Sequence, residues 1–372
     1  MTSSTTRRFA RLHPVDLVLA TTRAYSSLPV VGKHLEPFAG LTALALWGGH
    51  YAPAAARAAV SRHTGVAAAP VAVEPGAPSV GRIPPYLRAR GQKRKCLHAS
   101  SIRYGSHPSQ LLDVWRRPDL PPNAPVLLFV PGGAWVQGTR VLQGHTLLSH
   151  LVRLGWVCLT MDYRVSPVHR WPRHVQDVNA AIAWARANVD QYGGDREFVT
   201  IAGCSAGGHL ASLAALTPGE PAFRGELVDD ADTTVDAVVG IYGRYDWEDR
   251  SSPTRRNFQG FLERVVVRRS QARHPEIYAA ASPMARIHAD APPFLLIHGE
   301  HDALIPVGEA HAFRDALAAV SRNAVDYLEI PRAGHAFDLV DSSHARRSAV
   351  EIARFLGEAR DRHHQQCTAA AV

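Results

Sequence analysis

From about residue 100 onward, short apolar runs alternate with amphipathic stretches of helical length. Val126 to Val130 is a continuous apolar run and so is Trp156 to Thr160, with a helix-length segment, Arg140 to Leu154, between them. A second helix is predicted over Val175 to Val189, where Val175, Val178, Ile182, Ala183 and Ala185 recur at helical spacing. Further strands are predicted at Phe198 to Ala202, Ala237 to Tyr242, Pro293 to His298 and Val325 to Ile330. Apolar strands separated by helices point to βαβ units around a mostly parallel sheet, an α/β fold. About 50 residues separate the strands at Tyr242 and Pro293, more than one crossover helix needs, and they include Tyr245, Trp247, Phe258, Phe261, Leu262 and the run Val265 to Val267. A cap insertion at about 244–290 is the expectation, with Trp135 and Trp247 as lining of an apolar substrate pocket. The plainer alternative is a helix pair packed on the sheet.

The N-terminal third has a different texture. Of 372 residues, 41 are Lys or Arg and 33 Asp or Glu, a formal balance of +8. Residues 1–110 carry 14 basic and 3 acidic residues, whereas residues 111–372 carry 27 and 30. The whole basic excess therefore precedes the predicted sheet, and its densest part is Arg82, Arg88, Arg90, Lys93, Arg94 and Lys95. Two readings stay open for that run: a solvated basic linker, or a surface that meets anionic lipid headgroups. Aromatic residues do not interleave it and no DNA- or RNA-binding motif accompanies it, so nucleic acid is not an expected partner. Arg7, Arg8 and Arg11 are followed by a stretch broken at Asp16 and Arg23, which leaves no clear cleavable signal peptide. Pro37 to Ala56 is free of formal charge, but its Gly, Ala and Pro content suits a packed or interfacial segment better than a membrane span. Ala67 to Pro85 reads as a Pro-rich linker. The chain divides into an extension (1–95), the predicted α/β domain (96–360) and a polar tail (361–372). A cytoplasmic location, or a peripheral one at the membrane or cell envelope, is expected.

Candidate chemistry sits at predicted strand ends. Gly203-Cys204-Ser205-Ala206-Gly207 is a G-x-S-x-G pentapeptide after one strand and before an Ala/Leu helix. A sharp strand-to-helix turn exposes a serine Oγ, tolerates only small neighbours, and points the next backbone N–H toward a developing oxyanion. After the strand Val126 to Val130 come Pro131, Gly132, Gly133, Ala134 and Trp135. The N–H groups of Gly132 and Gly133 are candidates to complete an oxyanion hole with that of Ala206. Serine needs a base, and the base an orienting carboxylate. Asp302 and His335 both fall on loops just past strand ends, in the order Ser205, Asp302, His335. His298 and His301 are alternative bases, and Glu300 and Asp338 alternative acids. Cys204 is expected to be a small buried filler. The four cysteines form no CxxC pair, and His363, His364 and Cys367 on a polar tail make a poor ligand set, so no metal or cofactor is expected.

Residues 100–360 resemble α/β-hydrolase carboxylesterases of the hormone-sensitive-lipase-like and kynurenine-formamidase-like group, especially actinobacterial (mycobacterial) lipase/esterase proteins of the cell envelope. The resemblance rests on Tyr104-Gly105 with Leu112-Asp113-Val114, Val130 to Trp135, Asp162 to Pro167, Gly193-Gly194-Asp195, Gly203 to Gly208, His298 to Pro306 and Gly334-His335. It implies an α/β-hydrolase fold, with Ser205 as nucleophile, Asp302 as acid, His335 as base, and Gly132, Gly133 and Ala206 as oxyanion donors. The chain departs from the family where Pro131 stands in place of a loop-bracing His and Ala134 replaces a third Gly, which puts the bracing contacts of that loop in question. The implied activity is hydrolysis of carboxylic esters with short to medium acyl chains, on a small-molecule ester or lipid. An amidase or formamidase, and a catalytically silent binding protein of the same fold, are the alternatives.

Overall fold

The computed structural model describes residues 85–370 apart from Leu142 and Val340. Expectations for residues 1–84, including the uncharged stretch and nearly all of the Pro-rich linker, lie outside the described residues. In chain order the elements are α1 (Pro85–Cys96), β1 (Leu97–Arg103), β2 (Leu111–Trp115), β3 (Ala124–Val130), α2 (His145–Arg153), β4 (Val157–Met161), α3 (Arg173–Asn188) and β5 (Gly194–Cys204). There follow α4 (Ala206–Leu216), the short α5 (Pro221–Arg224), β6 (Val238–Ile241), α6 (Pro253–Phe261), α7 (Pro275–Ala281), β7 (Phe294–Gly299), α8 (Gly308–Val320), β8 (Val325–Ile330) and α9 (Ser343–Ala370). One eight-stranded sheet has the order β1-β2-β4-β3-β5-β6-β7-β8. β2 runs antiparallel to β1 and β4, and every other pair is parallel.

The apolar runs are continuous because helices cover both faces of the sheet. Successive strand side chains point to opposite sides. Val126, Leu128 and Val130 of β3 join Val175, Val178 and Ile182 of α3, Leu210 and Leu213 of α4 and Phe313 of α8 on one face. Leu127 and Phe129 join Leu148 and Leu151 of α2 and Ile352, Phe355 and Leu356 of α9 on the other. The register sets the functional end: Val130 pairs with Gly203 and Gly299 with Ile330, so two pairs of neighbouring strands end side by side.

Three expectations need correction. The basic run is a helix from Pro85 onward, and the folded unit therefore starts before residue 96. Lys93 Nζ lies 3.2 Å from the buried Asp113 carboxylate and 5.9 Å over the Trp115 ring, which fixes α1 to the sheet, while Arg94 and Lys95 are exposed. The helix expected from Arg140 starts only at His145, because Arg140 is held outside it: its backbone N–H donates to Asp162 Oδ1 (2.7 Å) and its Nε to Asp113 Oδ1 (2.8 Å). The expected tail is the last part of α9 as far as Ala370, with His363 against Phe198 at 5.3 Å between ring centroids and 3.5 Å from Asp236.

The segment 244–290 lies beside α4 and α8. Its Tyr245, Trp247, Phe261, Leu262, Val265, Val266 and Tyr278 are buried in the same core cluster as Trp135. A buried ion pair, Arg244 to Glu309 at 3.2 Å, and the Tyr245 N–H on Glu309 Oε1 at 2.9 Å fasten it to α8. His209 of α4 ties the same layer together: its Nδ1 accepts from Trp135 Nε1 (3.2 Å), its Nε2 donates to the Ala281 carbonyl (2.7 Å), and its ring stacks on Trp247 at 4.6 Å. Burial pushes this imidazole down to about 3, so it stays neutral. Among the described residues, no helix is long and apolar enough to cross a membrane.

Candidate active site

Ser205 lies between the last residue of β5 and the first of α4, at φ 54° and ψ −119°. A positive φ in a residue with a side chain is strained, and the surrounding packing must hold it. The glycines beside it allow that packing. A Cβ on Gly203 would come within 2.2 Å of the Gly207 carbonyl oxygen, and one on Gly207 within 2.1 Å of the Val130 carbonyl oxygen. The sharp turn is therefore possible only with bare backbone on both sides of the serine.

Two loops bring the other groups to it. His335 Nε2 is 2.9 Å from Ser205 Oγ, and His335 Nδ1 is 2.7 Å from Asp302 Oδ2. Facing a carboxylate, Nδ1 carries the proton and donates it, which leaves Nε2 free to accept from the serine hydroxyl. The loops are bound to each other where β7 and β8 end: Glu300 N–H donates to the Ile330 carbonyl (3.1 Å) and His301 N–H to the Ala333 carbonyl (2.9 Å). Asp302 Oδ1 accepts the N–H groups of Leu304 and Ile305, each at 2.9 Å. Burial works to raise the pKa of the Asp302 carboxyl, but the neighbouring imidazoles of His335 and His298 outweigh it and hold the group well below the usual carboxylate range.

The competing residues have other partners. His298 Nε2 faces the Ile305 carbonyl at 2.9 Å and Asp302 Oδ2 at 3.2 Å, so it braces the Asp302 carboxylate at the same oxygen that faces His335. From the sequence, His298 stands out only as an alternative base. His301 is exposed, and Glu300 accepts the Arg332 N–H at 2.8 Å. Asp338 accepts from the Tyr242 hydroxyl, and the Tyr242 ring packs 4.7 Å from that of His335.

The loop after β3 lies beside the elbow. Gly133 has φ 138°, and a Cβ there would meet the Gln137 carbonyl oxygen at 2.2 Å, so the bend it makes excludes any side chain. Ala134 and Trp135 also have positive φ, 52° and 58°. Among the described residues, the N–H groups of Gly133 and Ala206 meet no protein acceptor. Gly132 differs from the expectation: its N–H donates to Gln143 Oε1 at 2.7 Å and is not free for a substrate oxygen. Glycine is needed there for another reason, since a Cβ would come within 2.6 Å of the Cys204 carbonyl oxygen.

A cleft of about 90 Å³ opens at Ser205 and His335, bounded by Gly132, Gly133, Ala134, Val136, Gln137, Gln143, Cys204, Tyr242, Leu304, Ala336 and Leu339. Trp135 and Trp247 do not line it. Both are buried, with their rings 5.0 Å apart in an edge-to-face pair beneath the loop. Large size and closeness to the motif suggested a pocket wall, but two flat apolar rings do better as core.

The family model BD-FAE matches residues 112–317. Esterase LipC of Mycobacterium tuberculosis is 51% identical over 376 aligned positions, covering 95% of this chain and 93% of that protein. The probable carboxylic ester hydrolase LipM of the same organism is 44% identical over 287 positions, covering 76% of this chain and 66% of its own. Among solved structures, a truncated form of a carbohydrate esterase from gut microbiota superposes with a TM-score of 0.62 at 22% identity, covering 71% of this chain and 97% of the other, and at that identity the likeness speaks for the fold alone. With a serine, histidine and aspartate joined at the ends of three strands and relatives of this similarity, the chain belongs to the BD-FAE family of α/β-hydrolase esterases.

Proposed function

We propose that this chain hydrolyses carboxylic esters by two-step acyl transfer, with Ser205 as nucleophile, His335 as general base and acid, and Asp302 as the orienting carboxylate. The observation that carries this reading is the unbroken chain Ser205 Oγ to His335 Nε2 to Asp302 at 2.9 and 2.7 Å, on a turn that exposes the hydroxyl. Ser205 Oγ attacks the ester carbonyl carbon as its proton passes to His335 Nε2, and the ionised Asp302 stabilises the imidazolium. The oxyanion is held by the N–H groups of Gly133 and Ala206. The alcohol leaves with the proton from Nε2. Water, deprotonated by the same nitrogen, then attacks the acyl carbon, and the acid departs as Ser205 recovers its proton.

A cleft of about 90 Å³ walled by Val136, Leu304 and Leu339 supports short to medium acyl chains as the substrate class. Across a series of p-nitrophenyl esters, kcat/KM is expected to peak at or below the octanoate and to fall steeply by the palmitate. A maximum at palmitate would refute that class, and failure of a fluorophosphonate probe to label Ser205 would refute the serine mechanism.

The peripheral contact of residues 1–95 with an anionic membrane or envelope surface is a second proposal, supported by the basic excess of the N-terminal third and by the exposure of Arg94 and Lys95. Each basic side chain near such a surface contributes about 1 kcal/mol, so replacing both by Gln is expected to weaken co-sedimentation with phosphatidylserine vesicles by about tenfold to thirtyfold. Unchanged partitioning, or equal binding to neutral vesicles, counts against it.

A further inference from the structure

The loop that supplies the Gly133 N–H lacks the histidine that braces it in the resembling family, because Pro131 stands there. Its backbone nevertheless has defined partners. Gln143 Oε1 accepts the Gly132 N–H at 2.7 Å, and Gln143 Nε2 donates to the Gly132 carbonyl at 3.3 Å, so one amide side chain holds both polar groups of one residue. Gly132 offers one donor and one acceptor there, which determines which way round the amide lies. The same Oε1 is 2.9 Å from Cys204 Sγ, in the residue directly before Ser205. Burial foremost, and the Asp338 carboxylate after it, push the Cys204 thiol well above its usual range, so the sulfur keeps its proton and can donate it. On the far side, the Tyr163 hydroxyl donates to the Pro131 carbonyl at 3.0 Å.

We propose that Gln143 is a positioning residue that clamps the oxyanion loop to the nucleophile elbow, joining Gly132 to Cys204 so that the Gly133 and Ala206 N–H groups converge on one oxygen. The proposal rests on the assignment of Ser205 as nucleophile. Gln143 is suited to the task because its own backbone is anchored. Arg140, three residues before it, is held by Asp113 and Asp162, and α2 begins two residues after it. The loop it holds needs an external clamp. Ala134 and Trp135 sit at positive φ, and relaxation of either would swing the Gly133 N–H away from the serine. Cys204 thereby gains a purpose that a filler would not have, since its S–H completes the acceptor capacity of the same oxygen.

The test uses the full-length chain with Gln143→Met, which keeps the side-chain length and removes both polar atoms. Since a misplacement of about 1 Å can cost about 10²-fold, kcat for p-nitrophenyl butyrate is expected to fall between tenfold and a hundredfold. KM should stay within about twofold, because the clamp serves the tetrahedral state more than the bound ester. Affinity for a trifluoromethyl ketone, which forms a tetrahedral adduct with the serine, should weaken by the same factor as kcat/KM. A kcat within threefold of wild type in a folded variant overturns the proposal, as does a rise in KM alone or a ketone affinity that does not follow kcat/KM. Should Gln143→Met fail to fold, Cys204→Ala and Cys204→Ser decide. A threefold or greater loss in the alanine variant that serine restores supports the clamp, and equal activity of wild type, alanine and serine forms overturns it. Absence of wild-type labelling by fluorophosphonate would instead defeat the serine mechanism, leaving the two failures distinguishable.

Discussion

Replacing Ser205 by alanine is expected to lower kcat on p-nitrophenyl esters by about 10⁶-fold and to abolish fluorophosphonate labelling, with little change in thermal stability. The size follows from the chemistry. Without Oγ no acyl-enzyme can form, and what remains is the stabilisation that the Gly133 and Ala206 N–H groups give to direct attack by water, about 10³–10⁴ over the uncatalysed reaction. Stability should change little because the hydroxyl's partner is His335, at the open cleft, and the elbow is held by the packing of Gly203 and Gly207 against backbone. Alanine still sits at positive φ, so the strain at that position persists. A variant that kept more than one thousandth of wild-type kcat would show that another group performs the attack.

The second large effect is expected at Asp302. Its two oxygens have different neighbours: Oδ1 accepts two backbone N–H groups, and Oδ2 faces His335 Nδ1 and His298 Nε2. In Asp302→Asn the amide must put its oxygen where the two N–H donors are, and its NH₂ then points at the imidazoles. His335 can meet that NH₂ only by turning Nδ1 into an acceptor, which moves its proton to Nε2 and aims a donor at Ser205. The base is then in the wrong tautomer, and kcat is expected to fall by about 10⁴-fold with KM little changed. A loss below tenfold would mean that the carboxylate does not set the tautomer. The same carboxylate has a signature in acid. Its folded-state pKa lies below the unfolded value, so it stabilises the fold at all pH above the ordinary carboxylate range, and this contribution is lost as pH falls through the depressed value. The difference in melting temperature between wild type and Asp302→Asn should therefore be constant from pH 6 to 8 and shrink below about pH 4.

How much of this could be read beforehand depended on how local each signal is. The strand Val325–Ile330 has the bounds predicted for it, and the elbow, Asp302 and His335 could be placed because strand, turn and helix signals adjoin them in sequence. β1 and β2 went unnoticed: β1 reads LHASSIR, polar on its exposed side, and its pairing is antiparallel at the edge of the sheet. The basic run Arg82 to Lys95 reads as a solvated linker or a lipid-facing surface because its charge and low apolar content give no helical face, yet Lys93 finds an acidic partner in Asp113 that only the folded sheet provides. Gln143 lay within a stretch predicted as helix, and a glutamine carries no signal of its own. What fixes it is Arg140, which holds the chain in a loop by reaching β2 and the end of β4. Trp135 and Trp247 were placed in the pocket by size, whereas His209, a single buried imidazole, draws both into the core.

The cleft's apolar rim has an origin that bears on how this enzyme can diversify. Leu304 stands two residues after Asp302, and its N–H holds the Asp302 carboxylate; Leu339 stands four residues after His335. Substrate breadth on that side is thus written into the same loops that set the acid and the base. Variation there trades turnover against range, because a loop that yields to a larger acyl group also loosens the proton relay. Val136 and Gln137 also line the cleft; they belong to the loop after β3, which carries neither acid nor base, but their backbone N–H groups donate to the Gly133 carbonyl at 3.1 and 3.0 Å. Change confined to those two side chains leaves the proton relay untouched, so specificity differences should accumulate there as long as the backbone that positions Gly133 is kept.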